Sequence, residues 1–253
     1  MNGALMSDWL KLRKTWIPLL TILGPLGVVG LNAMRYVLSH GAIVIPGDDT
    51  HNWALLIQNT DHLLMPTLIL GVTLFVSMLS GLEHRGHTWK QLLALPVSRA
   101  QIYLSKFIWI AGLLAVSSTL CAALTLCIGF AFGFSTHVAW LPVLRECYYP
   151  YLAAYGMIAI QLLISMVFAN QAFAVTLGVL GMIMSGLTDA ITPDSLTHAW
   201  HFALFVPWVY PSLSAVTHGA VQYLDVRYVV CGLVVGSAMV GLGSVLFATK
   251  EVR

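Results

Sequence analysis

Six apolar runs of about twenty residues divide this chain, the last of them "VVCGLVVGSAMVGLGSVLF" at 229–247. A helix needs roughly 20 apolar residues to cross a bilayer core of about 30 Å. Inside lipid every backbone N–H and C=O must find its partner within the protein, so runs of this length read as helices and not as strands. Composition agrees: 58% of residues are hydrophobic, only 9% are charged and the mean hydropathy is +0.84, against about a quarter charged in a soluble domain. The chain is expected to be an all-α integral membrane protein with one transmembrane domain spanning 1–253.

The crossings are expected at about 16–38, 63–82, 106–134, 150–169, 172–190 and 227–248. Residues 1–15 are too short to span. Leu5, Trp9 and Leu12 oppose Asp8, Lys11, Arg13 and Lys14, which predicts a helix lying at the membrane interface with basic residues toward lipid headgroups. No h-region or small-residue cleavage site follows the charged start, so no cleavable signal peptide is expected. Before the last crossing, 192–226 is apolar but broken by Pro207 and Pro211. It reads as a re-entrant or interfacial element, with a seventh, proline-kinked crossing as the alternative.

Lys and Arg accumulate on the cytoplasmic side of membrane proteins. Six crossings put Lys11, Arg13, Lys14, Arg85, Lys90, Arg99, Lys106, Lys250 and Arg253 on one side, and Arg35, Arg145 and Arg227 on the other. Asp48, Asp49, Asp61, Glu146, Asp189, Asp194 and Asp225 fall mostly on the second side. Both termini are therefore expected in the cytoplasm.

One cytoplasmic stretch, "GLEHRGHTWKQLLALPVSRAQIYLSKF" at 81–107, gathers Glu83, Arg85, Lys90, Arg99 and Lys106 between two crossings. Trp89, Leu92 and Leu93 share a helical face, with Lys90 and Gln91 opposite. Pro96 ends that short helix because it lacks the N–H donor and clashes with the preceding turn. Ser98 and Gln101 then form a capping-box pattern for the next helix. A short amphipathic helix followed by a sharp break suits docking to a cytoplasmic partner. A surface helix resting on headgroups is the other reading.

These residues resemble the coupling region of ABC-2 type transporter permeases. Glu83 stands near the end of the second crossing. Gly86 and Thr88 follow, separated by His87 where the commonest family form has Gly-Thr adjacent, and then come Leu92, Leu95, Pro96, Val97, Ser98 and Lys106. The Thr-Trp-Lys version, the chain length and the six-crossing layout look most like the lantibiotic-immunity and bacitracin-resistance branch. The resemblance implies ATPase-coupling roles for Glu83, Arg85, Gly86, Thr88, Trp89, Leu92, Leu93, Pro96 and Lys106. It also implies a second permease subunit, identical or related, and an amphipathic substrate such as a peptide antibiotic. The location it implies is a bacterial-type cytoplasmic membrane. No G-x-x-x-x-G-K-[ST] phosphate cradle occurs in the chain. No cofactor is therefore expected on this chain. ATP and Mg are expected on a separate ABC ATPase, and no nucleic-acid partner is expected.

Gln161, Asn170 and Gln171 are polar residues near the inner ends of the fourth and fifth crossings, read either as interhelical bonding or as a substrate path. Gly232 and Gly236 permit close helix approach, within one subunit or across a dimer. Asp194, His198 and His201 have the spacing of metal ligands but lack a fourth ligand, and no metal is expected. Cys147 is expected in a loop and Cys121, Cys127 and Cys231 in apolar segments, with no disulfide framework. The alternative class, an intramembrane enzyme using outer-side His and Asp residues, would need facing catalytic groups. The sequence offers no GxSxG, no HExxH and, on these boundaries, no carboxylate pair within a crossing.

Overall fold

The computed structural model describes residues 2–39, 44–85, 98–134, 138–168, 170–189, 205–218, 221–223 and 226–249. A short helix α1 (Asn2–Leu12) leads into α2 (Ile17–Leu38), followed by the long α3 (Asp49–Arg85) and α4 (Arg99–Ala131). Helices α5 (Trp140–Ala153) and α6 (Tyr155–Val167) are nearly continuous, and α7 (Gln171–Asp189) follows. A 3-10 turn (Pro207–Val209), α8 (Tyr210–Ser214) and a hairpin of β1 (Val216–His218) with antiparallel β2 (Val221–Tyr223) precede the last helix, α9 (Val226–Thr249).

Among the described residues, five stretches are long and apolar enough to cross a membrane: Ile17–Leu38, Asp49–Glu83, Ala100–Ala131, Trp140–Val167 and Val226–Leu246. The apolar part of α7, Gln171–Leu187, sits where the fifth crossing is expected but is shorter. The described part of the 192–226 element has no helix longer than five residues, so no piece of it is of crossing length. It is nonetheless core: Val209, Tyr210 and Leu213 are buried, and the turn and α8 pack on α5, α7 and α9. Gly181 makes room for Trp208, whose ring would lie 2.3 Å from an added Cβ, and Ser185 and Ser212 share a hydrogen bond.

The predicted capping box forms. Ser98 Oγ accepts from the Gln101 backbone N–H at 3.3 Å, while the Ser98 N–H donates to Gln101 Oε1 at 3.2 Å. It satisfies donors at the start of α4 that have no intrahelical partner.

Two boundaries differ from the sequence reading. Helix α3 starts at Asp49, not near 63, and the fourth crossing starts at Trp140, not near 150. Asn52, Thr60, Asp61 and Glu146 in these extensions turn inward, while His62 and Arg145 stay exposed. Asp61 and Glu146, expected in outer loops, lie within α3 and α5, 7% and 1% exposed, and neighbour one another. A carboxylate pair therefore does exist within the crossings. Cys147, expected in a loop, is a buried residue of α5. Tyr151 and Tyr210 are likewise buried in the core.

The interior joins α2 to α3 and α4, α3 to α7, and α9 to α4, α5 and α6. Polar groups pin some of these contacts. Asn32 Nδ2 donates to Leu56 O at 3.1 Å and to Thr60 Oγ1 at 2.9 Å, holding α2 on α3. With little hydrophobic drive between helices in lipid, such bonds and close packing carry association. Gly232 and Gly236 supply the close packing within the subunit, against Ala153 and Tyr155 at the α5–α6 junction.

Candidate functional site

Helix α1 places Asp8 and Lys11 one turn apart, on one face. That face turns toward the protein: Asp8 is 3% exposed and Leu12 is fully buried, whereas Met6 and Leu10 point outward. This corrects the amphipathic assignment made from sequence. Asp8 and Lys11 do not belong to a lipid-headgroup face; Arg13 and Lys14 are the exposed basic residues.

What draws Asp8 inward is Lys106, near the start of α4. Its side chain is fully buried, and Nζ lies 3.3 Å from Asp8 Oδ1 and 3.0 Å from Glu83 Oε1. Lys11 Nζ reaches the same Glu83 oxygen at 2.8 Å, with about a third of its side chain exposed. Ser105 Oγ donates to Asp8 Oδ2 at 2.5 Å. Two carboxylates thus meet two ammonium groups. A buried ion is tolerable only when paired and hydrogen-bonded, and this arrangement pairs each with the opposite sign. From sequence alone, Glu83 and Arg85, two positions apart where the crossing ends, read as an exposed charge pair. Glu83 is instead fully buried and accepts from Lys11 and Lys106; the side chain of Arg85 lies outside the described residues.

Aromatic packing seals one side of the network. Trp9 stacks on Trp109 at 5.0 Å between centroids and 16° between planes, and Trp109 Nε1 donates to Leu5 O at 3.0 Å. Helix α1 is therefore fastened to α4 by a charge network, a ring stack and a backbone acceptor. Glu83 and Lys106 stand on either flank of the 84–105 stretch, so both ends of that stretch are tied to one another and to α1.

Of the residues singled out from sequence, Glu83 and Lys106 meet here. Gly86, Thr88, Trp89, Leu92, Leu93 and Pro96 lie outside the described residues, as do Asp194, His198 and His201. Gln161 is fully buried on α6, and its Nε2 donates to Ala174 O of α7 at 2.6 Å. Asn170 is exposed and its Oδ1 accepts from the Ala172 N–H at 3.0 Å, at the start of α7. Gln171 packs on Gly81 of α3, its Nε2 2.0 Å from where a Cβ would stand. Gln161 and Gln171 thus join α3, α6 and α7. Sequence reasoning missed Asp8, Ser105, Trp109 and the role of Lys11. An acidic residue inside a basic N-terminal segment, with a lysine at the head of a crossing, was the available signal.

Residues 4–185 match the sequence family described as ABC-2 family transporter protein. The chain belongs to that family. A search of the curated proteins finds no match. As an ABC-2 family member with several membrane-crossing helices, it is a multi-pass transmembrane subunit of an ABC transporter, a transport component and not itself the catalyst. ABC-2 permeases associate with ABC ATPase partners. Among the described residues no group of three or more His, Cys, Asp or Glu side chains could hold a metal ion.

Proposed function

We propose that this chain is the permease of an ATP-driven exporter that moves or extracts an amphipathic compound, with a peptide antibiotic of the lantibiotic or bacitracin type as its substrate class. In this reading ATP and Mg bind a separate ATPase polypeptide, two permease subunits line the path, and both termini face the cytoplasm. The observation that carries the coupling part is the buried network of Asp8, Glu83 and Lys106. Its two loop-flanking members bracket the 84–105 stretch, where the Trp89, Leu92 and Leu93 face would meet the ATPase. A push on that stretch would reach α3 through Glu83, α4 through Lys106 and α1 through Asp8 as one rigid unit. Rigid packed elements transmit displacement because interiors have low compressibility. The substrate class rests on the sequence resemblance alone.

The test is co-purification with an ABC ATPase encoded in the same host, with resistance to lantibiotics and bacitracin assayed in parallel. The chain alone hydrolyses no ATP, the complex survives detergent purification, and cells expressing both subunits gain resistance. Replacing Trp89, Leu92 and Leu93 together with alanine removes the ATPase, since burying each such side chain contributes roughly 1.5–3 kcal/mol. Turnover by the lone chain above an empty-membrane control would overturn the reading of a separate ATPase. A triple variant that binds as wild type would remove the docking role.

Sidedness is tested separately, in a variant whose four native cysteines are replaced. A cysteine at Asp48 reacts with a membrane-impermeant maleimide in intact cells. One at His87 reacts only after the membrane is opened. The reverse pattern would invert the topology.

A further inference from the structure

A cavity of about 330 Å³ opens between the first half of α2 and the middle of α3, with α4 and α5 as its floor. Its origin is in the sequence. Gly24 and Gly71 contribute no side chain, and a Cβ added at Gly71 would meet nothing within 4 Å. The mouth is flanked by Leu23 and Leu74, each more than 40% exposed, and the floor includes the buried Leu68, Leu114 and Tyr151. No charged residue lines it. Its hydroxyls are already engaged: Thr67 Oγ1 donates to Leu63 O at 2.7 Å, and those of Ser117 and Tyr151 pair at 3.2 Å.

A guest of this cavity therefore needs no polar group. It enters sideways, between two crossings and through a leucine-lined mouth, within the apolar stretches Ile17–Leu38 and Asp49–Glu83 that are long enough to span bilayer hydrocarbon. A hydrocarbon chain lying in it gains dispersion contacts with the apolar lining. We propose that the α2–α3 cavity is a binding site for one acyl chain of a bilayer phospholipid. The chain inserts through the Leu23–Leu74 mouth and lies against Leu68, Leu114 and Tyr151, and the headgroup stays in the bilayer outside.

The test uses the full chain in vesicles of phosphatidylethanolamine and phosphatidylglycerol containing a trace of phosphatidylcholine with a diazirine halfway along one acyl chain. After illumination, adducts are mapped by mass spectrometry. Adducts are expected on the floor residues Leu68, Leu114 or Tyr151 as well as on the lipid-facing Leu180 and Val234. Gly71→Leu fills the open space and, by excluding the chain, takes floor labelling to near background, while labelling at Leu180 and Val234 is unchanged. Gly27→Leu, which also meets open space but does not line the cavity, leaves both sets as they are. If Gly71→Leu fails to fold, Gly24→Leu takes its place from the opposite wall. Floor labelling at background in the wild type would overturn the proposal, as would floor labelling untouched by the filling variants. Disulfide cross-linking of two copies through cysteines at Leu23, with no floor labelling, would overturn it in favour of a subunit interface.

Discussion

Lys106→Met lowers the stability of the protein by about 3–5 kcal/mol, the range for removing one partner of a buried ion pair. The buried ammonium lies between Asp8 and Glu83, whose carboxylates lose it while remaining out of water. Methionine has nearly the shape of lysine without its charge, so little of the loss comes from packing. Among the hydrogen bonds described above, Asp8 keeps its Ser105 donor and Glu83 keeps Lys11. The triple variant Asp8→Asn, Glu83→Gln, Lys106→Met recovers most of the loss, because a buried charge without its counter-charge is the costly species and not the absence of the pair. Lys11→Ala is mild, about 0–1 kcal/mol, since its end of the network is partly in solvent. The measurement is unfolding by denaturant in mixed micelles, with the four proteins compared under one salt condition. A Lys106→Met variant no weaker than Lys11→Ala would show that the network contributes nothing to the fold and would remove the basis for a rigid coupling unit. Loss of the Glu83 charge would disturb coupling more than folding if Glu83 belonged to an exposed pair. With Glu83 fully buried, its loss should disturb both.

Gly232→Ala costs about 3 kcal/mol or somewhat more, at the upper end of the range for overpacking a tight interior. A Cβ there would stand 2.2 Å from Ala153 O and 2.7 Å from Ala153 Cα. Those are backbone atoms, so no side chain can rotate away and α9 must move off the α5–α6 junction. Gly236→Ala is the milder case, its nearest neighbour being Tyr155 C at 2.9 Å. Gly241→Ala on the same helix meets nothing within 4 Å and stays within about 1 kcal/mol of wild type, on the stabilising side, because glycine is a poor residue for a helix interior. Thermal unfolding in detergent and yield of monodisperse protein report the difference. Equal behaviour of the Gly232 and Gly241 variants would mean that the GxxxG pair does not seat α9 within the subunit.

The sequence by itself determined the membrane class, the places of most helices and the start of α4. Length of apolar run is a direct consequence of bilayer thickness, and the Ser98–Gln101 box is a local device that needs no tertiary partner. The family resemblance also marked Glu83 and Lys106 from their places on either flank of one loop. Only the tertiary structure decided which face of each helix is inside. In water, periodicity separates a wet polar face from a buried apolar one. In a bilayer both the lipid face and the core face are apolar, so spacing carries little information about orientation. Leu10 and Leu12 look alike in sequence, yet the first is exposed and the second fully buried. The same ambiguity displaced the helix ends. Asp61 and Glu146 read as loop residues because a carboxylate argues against lipid, but a carboxylate facing the protein interior does not interrupt a crossing. Asp8 followed the same rule: its partner Lys106 lies 98 positions away, and the contact between them arises only when α1 folds back on α4.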